Sequence, residues 1–137
     1  MIDIASPLRL RLDSSALVHN WRWLAKAGGA EAGAAIKADA YGLGSREVMR
    51  HLAAAGCRFF FVANWVEAAA LMPLPAGVSL SVLHGVGEDD MVAARTLPAR
   101  PVLISTEQVA RWRAHGEGRP CDVMIDTGMN RLGLTPE

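Results

Sequence analysis

Lysine and tyrosine are almost missing from this chain. Of its fourteen basic residues only Lys26 and Lys37 are lysines, and Tyr41 is the single tyrosine. Cysteine is as scarce: Cys57 and Cys121 form no CxxC pair, which excludes a disulfide framework and reads as two free thiols in a reducing cytosol. Net charge is absent too. Fourteen acidic residues balance the fourteen basic ones, so nothing electrostatic points to nucleic acid or an anionic membrane as partner. No apolar run reaches the length of a membrane span. Met1 to Leu12 carries Asp3 and Pro7 and lacks the basic-then-apolar order of a signal peptide. These absences together predict a cytoplasmic protein. Twelve arginines against two lysines fits a GC-rich coding sequence, yet it makes Lys37, four residues before Tyr41, conspicuous.

What is present is a globular balance, 51% hydrophobic and 20% charged. Leu8 to Leu12 alternates apolar residues with Arg9 and Arg11 and predicts a strand. Ser14 or Ser15 can cap a helix with Leu17, Trp21 and Leu24 on one face, stopped at Gly28-Gly29. From Gly33 a rhythm sets in. Strands are expected at Gly33–Ala38, Phe59–Ala63, Leu80–Leu83, Val102–Ile104 and Asp122–Ile125. Between them lie helical patterns: one capped by Ser45 and ended by Gly56, one over Trp65–Met72 broken by Pro73 and Pro75, and one behind Glu88, Asp89 and Asp90. The last has Ser105 and Gln108 as a capping box.

Repeated beta–alpha units of about twenty residues without a hairpin imply parallel strands and crossover helices. Five strands are about half of an eight-stranded α/β barrel, which needs roughly 250 residues. The expected architecture is therefore the N-terminal part of a (β/α)8 barrel, truncated after about five strands. Residues 1–32 lead into it and residues 33–137 form its first half.

Lys37 ends an apolar strand, Gly33-Ala34-Ala35-Ile36, where barrel enzymes place their catalytic groups. Desolvation there favours a neutral amine that can condense with an aldehyde. A lysine snorkelling from a strand end is the plainer alternative. Tyr41 follows four residues later, just ahead of Gly42, Gly44 and the start of a helix at Ser45, a setting where backbone can approach a phosphate. An ordinary strand–turn–helix corner explains the same residues. Near the other end, Arg131 sits in Asp126-Thr127-Gly128-Met129-Asn130-Arg131-Leu132-Gly133. Its planar fork suits a phenolic oxygen and a carboxylate together.

The segment Ala35-Ile36-Lys37-Ala38-Asp39-Ala40-Tyr41-Gly42-Leu43-Gly44 resembles the cofactor-lysine segment of alanine racemases, and Asp126–Gly133 resembles that family's other signature. Weaker echoes run in consistent order along the chain, at Leu12-Asp13 near the start, Val66-Glu67-Ala68 in the middle and Ser105-Thr106-Glu107-Gln108 later. The resemblance implies a pyridoxal 5'-phosphate enzyme that interconverts L- and D-alanine and supplies D-alanine for peptidoglycan. Lys37 would bind the cofactor covalently and act as base on one face of the substrate. Tyr41 would bind the cofactor phosphate. Arg131 would contact the cofactor's phenolic oxygen and the substrate carboxylate region, and the Met129 backbone N–H would meet that carboxylate. No metal is implied.

Alanine racemases work as homodimers, and their second base is a tyrosine from a C-terminal β domain of the partner. With Tyr41 assigned to the phosphate, that base is not among these residues, so the chain alone is expected to be catalytically silent. One position departs from the family. Where many members carry a carbamylated lysine that buttresses the arginine, this chain has Met124, leaving Asn130, a backbone carbonyl or an anion to hold Arg131. His84 reads as a loop histidine and no catalyst, and Asp39 and Asp126 as backbone organisers and no bases. Two other readings compete: a non-catalytic pyridoxal-phosphate carrier on the same barrel, and a cofactor-free aldolase barrel using Lys37 directly.

Overall fold

The structure, a computed structural model, describes residues 8–136, so the reading of Met1 to Leu12 lies mostly outside it, as does Glu137. Five strands form one parallel sheet, in the order in which they occur along the chain: β1 (Ala34–Ala35), β2 (Phe59–Val62), β3 (Ser79–Val82), β4 (Arg100–Leu103) and β5 (Asp122–Val123). That order decides the architecture. A doubly wound sheet reverses direction at a switch point, whereas strands laid down one after another by right-handed crossovers send every helix to the same face. The predicted first part of a (β/α)8 barrel is what forms.

The helices are α1 (Ser14–Gly28), the single turn α2 (Lys37–Tyr41), α3 (Ser45–Ala55), α4 (Trp65–Ala70), α5 (Met91–Thr96) and α6 (Thr106–His115). Among the described residues none is long and apolar enough to cross a membrane. Val48, Met49 and Leu52 of α3, Trp65 and Ala68 of α4, Met91 and Ala94 of α5 and Trp112 of α6 pack in one cluster with Phe60, Val62, Leu80 and Val82 of the sheet. A fully buried side chain of the size of Phe60 contributes about 1.5–3 kcal/mol. Its neighbours Phe59 and Phe61 point the opposite way and are far less covered. On the same sheet, Ser81 donates to Asp122 at 2.5 Å, and Arg100 reaches both Asp122 and Ser79. This polar stitching across β3, β4 and β5 left no signal in the sequence pattern.

Several boundaries move. No ladder of the sheet includes residues 8–12, so the predicted first strand is not formed; alternation cannot substitute for a neighbour to pair with. Asp13, one residue before the expected serines, caps α1 by accepting the Ala16 N–H at 2.9 Å. Ser45 is the first residue of α3 and no cap; Gly44 holds that position. Asn64 caps α4, which ends at Ala70, short of Met72. The largest correction concerns Gly33–Ala38, of which only Ala34 and Ala35 are strand. The two thiols are free as expected, and burial pushes both Cys57 and Cys121 up.

Candidate functional site

Lys37 does not end a strand. It opens α2, and the four residues after it turn left-handed: Ala38, Asp39, Ala40 and Tyr41 have φ of 51°, 53°, 54° and 55°. A left-handed conformation costs non-glycine residues roughly 1–2 kcal/mol each, so something must hold this turn. The Ala40 N–H donates to the Ile36 carbonyl at 2.9 Å, and Gly42 and Gly44 donate back to Ala38 and Asp39. The Asp39 carboxylate accepts the Ser45 N–H at 2.7 Å, covering the start of α3. That bond, with the Ser45 hydroxyl, holds the Asp39 carboxyl below its usual range. Asp39 organises backbone, as expected, and the α3 N-terminus that looked suited to phosphate has this carboxylate against it.

Glu67 supplies the remaining hold. One carboxylate oxygen accepts the Ala38 N–H at 2.9 Å and the other accepts the Ala63 N–H at 2.8 Å. The Glu67 backbone N–H is in turn capped by Asn64. In the sequence Glu67 stands only within the short Val66-Glu67-Ala68 echo. The Asn64-x-x-Glu67 spacing is a capping signature that marks it.

Arg131 comes from a loop closed at its base. The Asp126 N–H donates to the Leu134 carbonyl and the Leu134 N–H to the Met124 carbonyl, both at 2.8 Å. Inside the loop, Asp126 Oδ1 accepts the Gly128 and Asn130 N–H groups, each at 3.0 Å. These bonds hold the Asp126 carboxyl low, so it too is a backbone organiser.

The two segments meet in one cavity of about 250 Å³ at the C-terminal ends of the strands, lined by Lys37, Ala63, Leu83, His84, Met124, Arg131 and Leu132. Lys37 is half-buried there and Arg131 is exposed. Arg131 forms no hydrogen bond or ion pair with any described residue, and the Asn130 side chain bonds to the Gly128 carbonyl. Asn130 is therefore not the buttress considered for it. His84, read as a bystander, lines the cavity. Tyr41 and Met129 do not. The Tyr41 ring is 66% exposed, beside an apolar cleft under α1 and α3, and Met129 is 74% exposed with its N–H facing Asp126.

Residues 12–137 match the family described as alanine racemase, N-terminal domain. The chain belongs to that family. An alanine racemase of Methylobacterium nodulans is 46% identical over 133 residues, 93% of this chain and 36% of the relative. The crystal structure of an alanine racemase from Bartonella henselae with covalently bound pyridoxal phosphate superposes with a TM-score of 0.80 at 34% identity, covering 91% of this chain and 36% of that one. A histidine racemase from Leuconostoc mesenteroides superposes at 0.74 with 26% identity, covering 88% and 34%. The chain thus spans little more than a third of these racemases. The barrel fold expected from the sequence is theirs, and a racemase of another amino acid shares it.

Proposed function

We propose that this chain is the lysine-bearing first half of the barrel of a pyridoxal-phosphate-dependent alanine racemase, working within a longer polypeptide that dimerises in the cytoplasm and supplies D-alanine for peptidoglycan. The observation that carries the reading is the single cavity in which Lys37 and Arg131 meet, although they come from opposite ends of the chain. Its donor set fits the cofactor: a primary amine for an aldehyde, a fixed cation for an anionic oxygen, and Leu83, Leu132 and Met124 as apolar walls for a planar ring. When bound, the cofactor supplies an electron sink for the carbanion left by loss of the substrate's α-proton.

The chain's own residues do the rest. Lys37 Nζ would hold the cofactor through its aldehyde and, once the substrate's amine has displaced it there, would take or return the α-proton on its face. Arg131 orients the carboxylate end by charge-assisted hydrogen bonds, and the apolar walls exclude water from the reacting carbon. The phosphate role of Tyr41 and the carboxylate role of the Met129 N–H rest on family resemblance alone. Alanine as substrate rests on the closer sequence relatives, since the fold also serves histidine. The test is borohydride reduction of the extended protein, the chain together with the rest of its polypeptide. The cofactor becomes fixed on the peptide containing Lys37, and Lys37→Ala abolishes the visible band and lowers turnover by at least about 10²–10⁴-fold. Label on another residue sinks the reading.

A further inference from the structure

Glu67 stands outside the cavity, yet it ties the backbone next to Lys37 to that of Ala63, and Lys37 and Ala63 both line it. Its two oxygens accept the N–H of Ala38, next to Lys37, and the N–H of Ala63, at the end of β2. We propose that Glu67 is the positioning residue for Lys37: its carboxylate clamps the start of the left-handed turn to β2 and so sets where the lysine amine stands. The proposal deepens the reading of Lys37 as the cofactor lysine and rests on it.

The side-chain chemistry matches the demand at this corner. Two N–H donors converge on Glu67, and a carboxylate has an oxygen for each. At the corresponding corner after β4 the third residue of α6 is an amide instead. Gln108 Oε1 accepts the Ile104 N–H at 3.1 Å while its Nε2 donates to the His84 carbonyl at 3.1 Å. That corner presents one donor and one acceptor, and glutamine fits it. Glutamine in place of Glu67 would set an NH2 against one of the two N–H groups, so one clamp opens while shape and size are kept. The turn it releases has four consecutive non-glycine residues at positive φ, a conformation that persists only where the surroundings over-determine it.

The experiment compares Glu67→Gln with Asn64→Ala in the extended protein. Asn64 caps the same helix without touching the Ala38 N–H, so its loss weakens α4 and leaves the clamp. The first readout needs no cofactor. Competitive labelling of cofactor-free protein with an amine reagent, mapped by peptide, gives the reactivity of Lys37 relative to exposed Lys26 as a function of pH. Glu67→Gln is expected to change that ratio several-fold and shift its pH profile, whereas Asn64→Ala lowers Tm and changes neither. The second readout is turnover, expected to fall about tenfold in kcat at nearly constant KM for Glu67→Gln only. An unchanged Lys37 profile in Glu67→Gln, or the same change in Asn64→Ala, overturns the proposal. A changed profile with borohydride label elsewhere than Lys37 would retain the clamp and overturn the cofactor assignment instead.

Discussion

The two arms that meet in the cavity are built by opposite means. The lysine arm turns left-handed on four residues in a row, of which Ala38, Ala40 and Tyr41 resist that conformation, and is clamped by Glu67, Asp39 and the backbone. The arginine arm takes positive φ at Gly128, Asn130 and Gly133, which adopt it readily, and presents Arg131 with no described partner. In the proposed reading, strain sits beside the amine that reacts, and a relaxed loop carries the group that would meet an anion. A fixed nucleophile and an adaptable anion holder are what a site needs when one end of the ligand reacts and the other is only gripped.

The sharpest way to break the comparison is to exchange the backbone chemistry of the arms. At Gly133 φ is 112°, and an added Cβ would stand 2.8 Å from the Asp126 nitrogen and 3.1 Å from the Met124 carbonyl oxygen. Gly133→Ala is therefore expected to cost at least about 1–3 kcal/mol in strain, before counting the contact with backbone, and to detach Arg131 from the cavity. Ala38→Gly does the reverse, relieving a left-handed alanine at the expense of unfolded-chain entropy, and should leave stability within about 1 kcal/mol of wild type. Urea denaturation of the extended protein measures both. Equal losses in the two variants would mean that the arms are not differently built.

The next largest effect concerns what Arg131 meets. Met124 lines the cavity beside it, and a thioether is apolar and a weak acceptor, unable to replace a carbamate. With the Asn130 side chain turned to Gly128, a small anion remains the candidate holder. Activity of the extended protein should be independent of bicarbonate and rise with chloride. The assay titrates each anion in degassed buffer at fixed ionic strength, and reactivation by bicarbonate alone would refute this account of Arg131.

How much of this was legible beforehand follows from what leaves a pattern. Strand and helix order from Gly33 onward is periodic, so the parallel units and the barrel reading came through. The motifs around Lys37 and Arg131 are contiguous in sequence, so both were found. The left-handed turn was not, because Ala38-Asp39-Ala40 contains none of the glycines that announce positive φ; the apolar run simply read as strand. The clamp of Glu67 reaches back 29 positions to Ala38, and spacing around α4 reveals its cap but not that bond. His84 reads as a loop histidine in the sequence for a similar reason, since only the fold brings the end of β3 into the same cavity as Lys37.

The smallest expected effect tests the two aspartates that brace the arms. Asp39 and Asp126 each have a folded pKa below the ordinary 3.8, through N–H bonds from Ser45 and from Gly128 and Asn130 respectively. A depressed carboxyl contributes stability that is fully present above its unfolded pKa and is lost as pH falls through the folded one. The window therefore lies below pH 3.8, and near neutrality both contributions are intact. Neither carboxylate is buried away from solvent, so screening keeps the effect small. Asparagine retains an oxygen for the N–H bonds and removes the charge. The Asp39→Asn, Asp126→Asn double variant should melt slightly lower than wild type at neutral pH, and the gap should close as the buffer is taken from about pH 5 to about pH 2. The comparison between arms then becomes quantitative. Asp39 braces the strained turn, so Asp39→Asn alone should also alter the pH profile of Lys37 labelling, while Asp126→Asn should not. Melting curves that stay parallel down to the lowest pH would show that neither carboxylate acts through its charge.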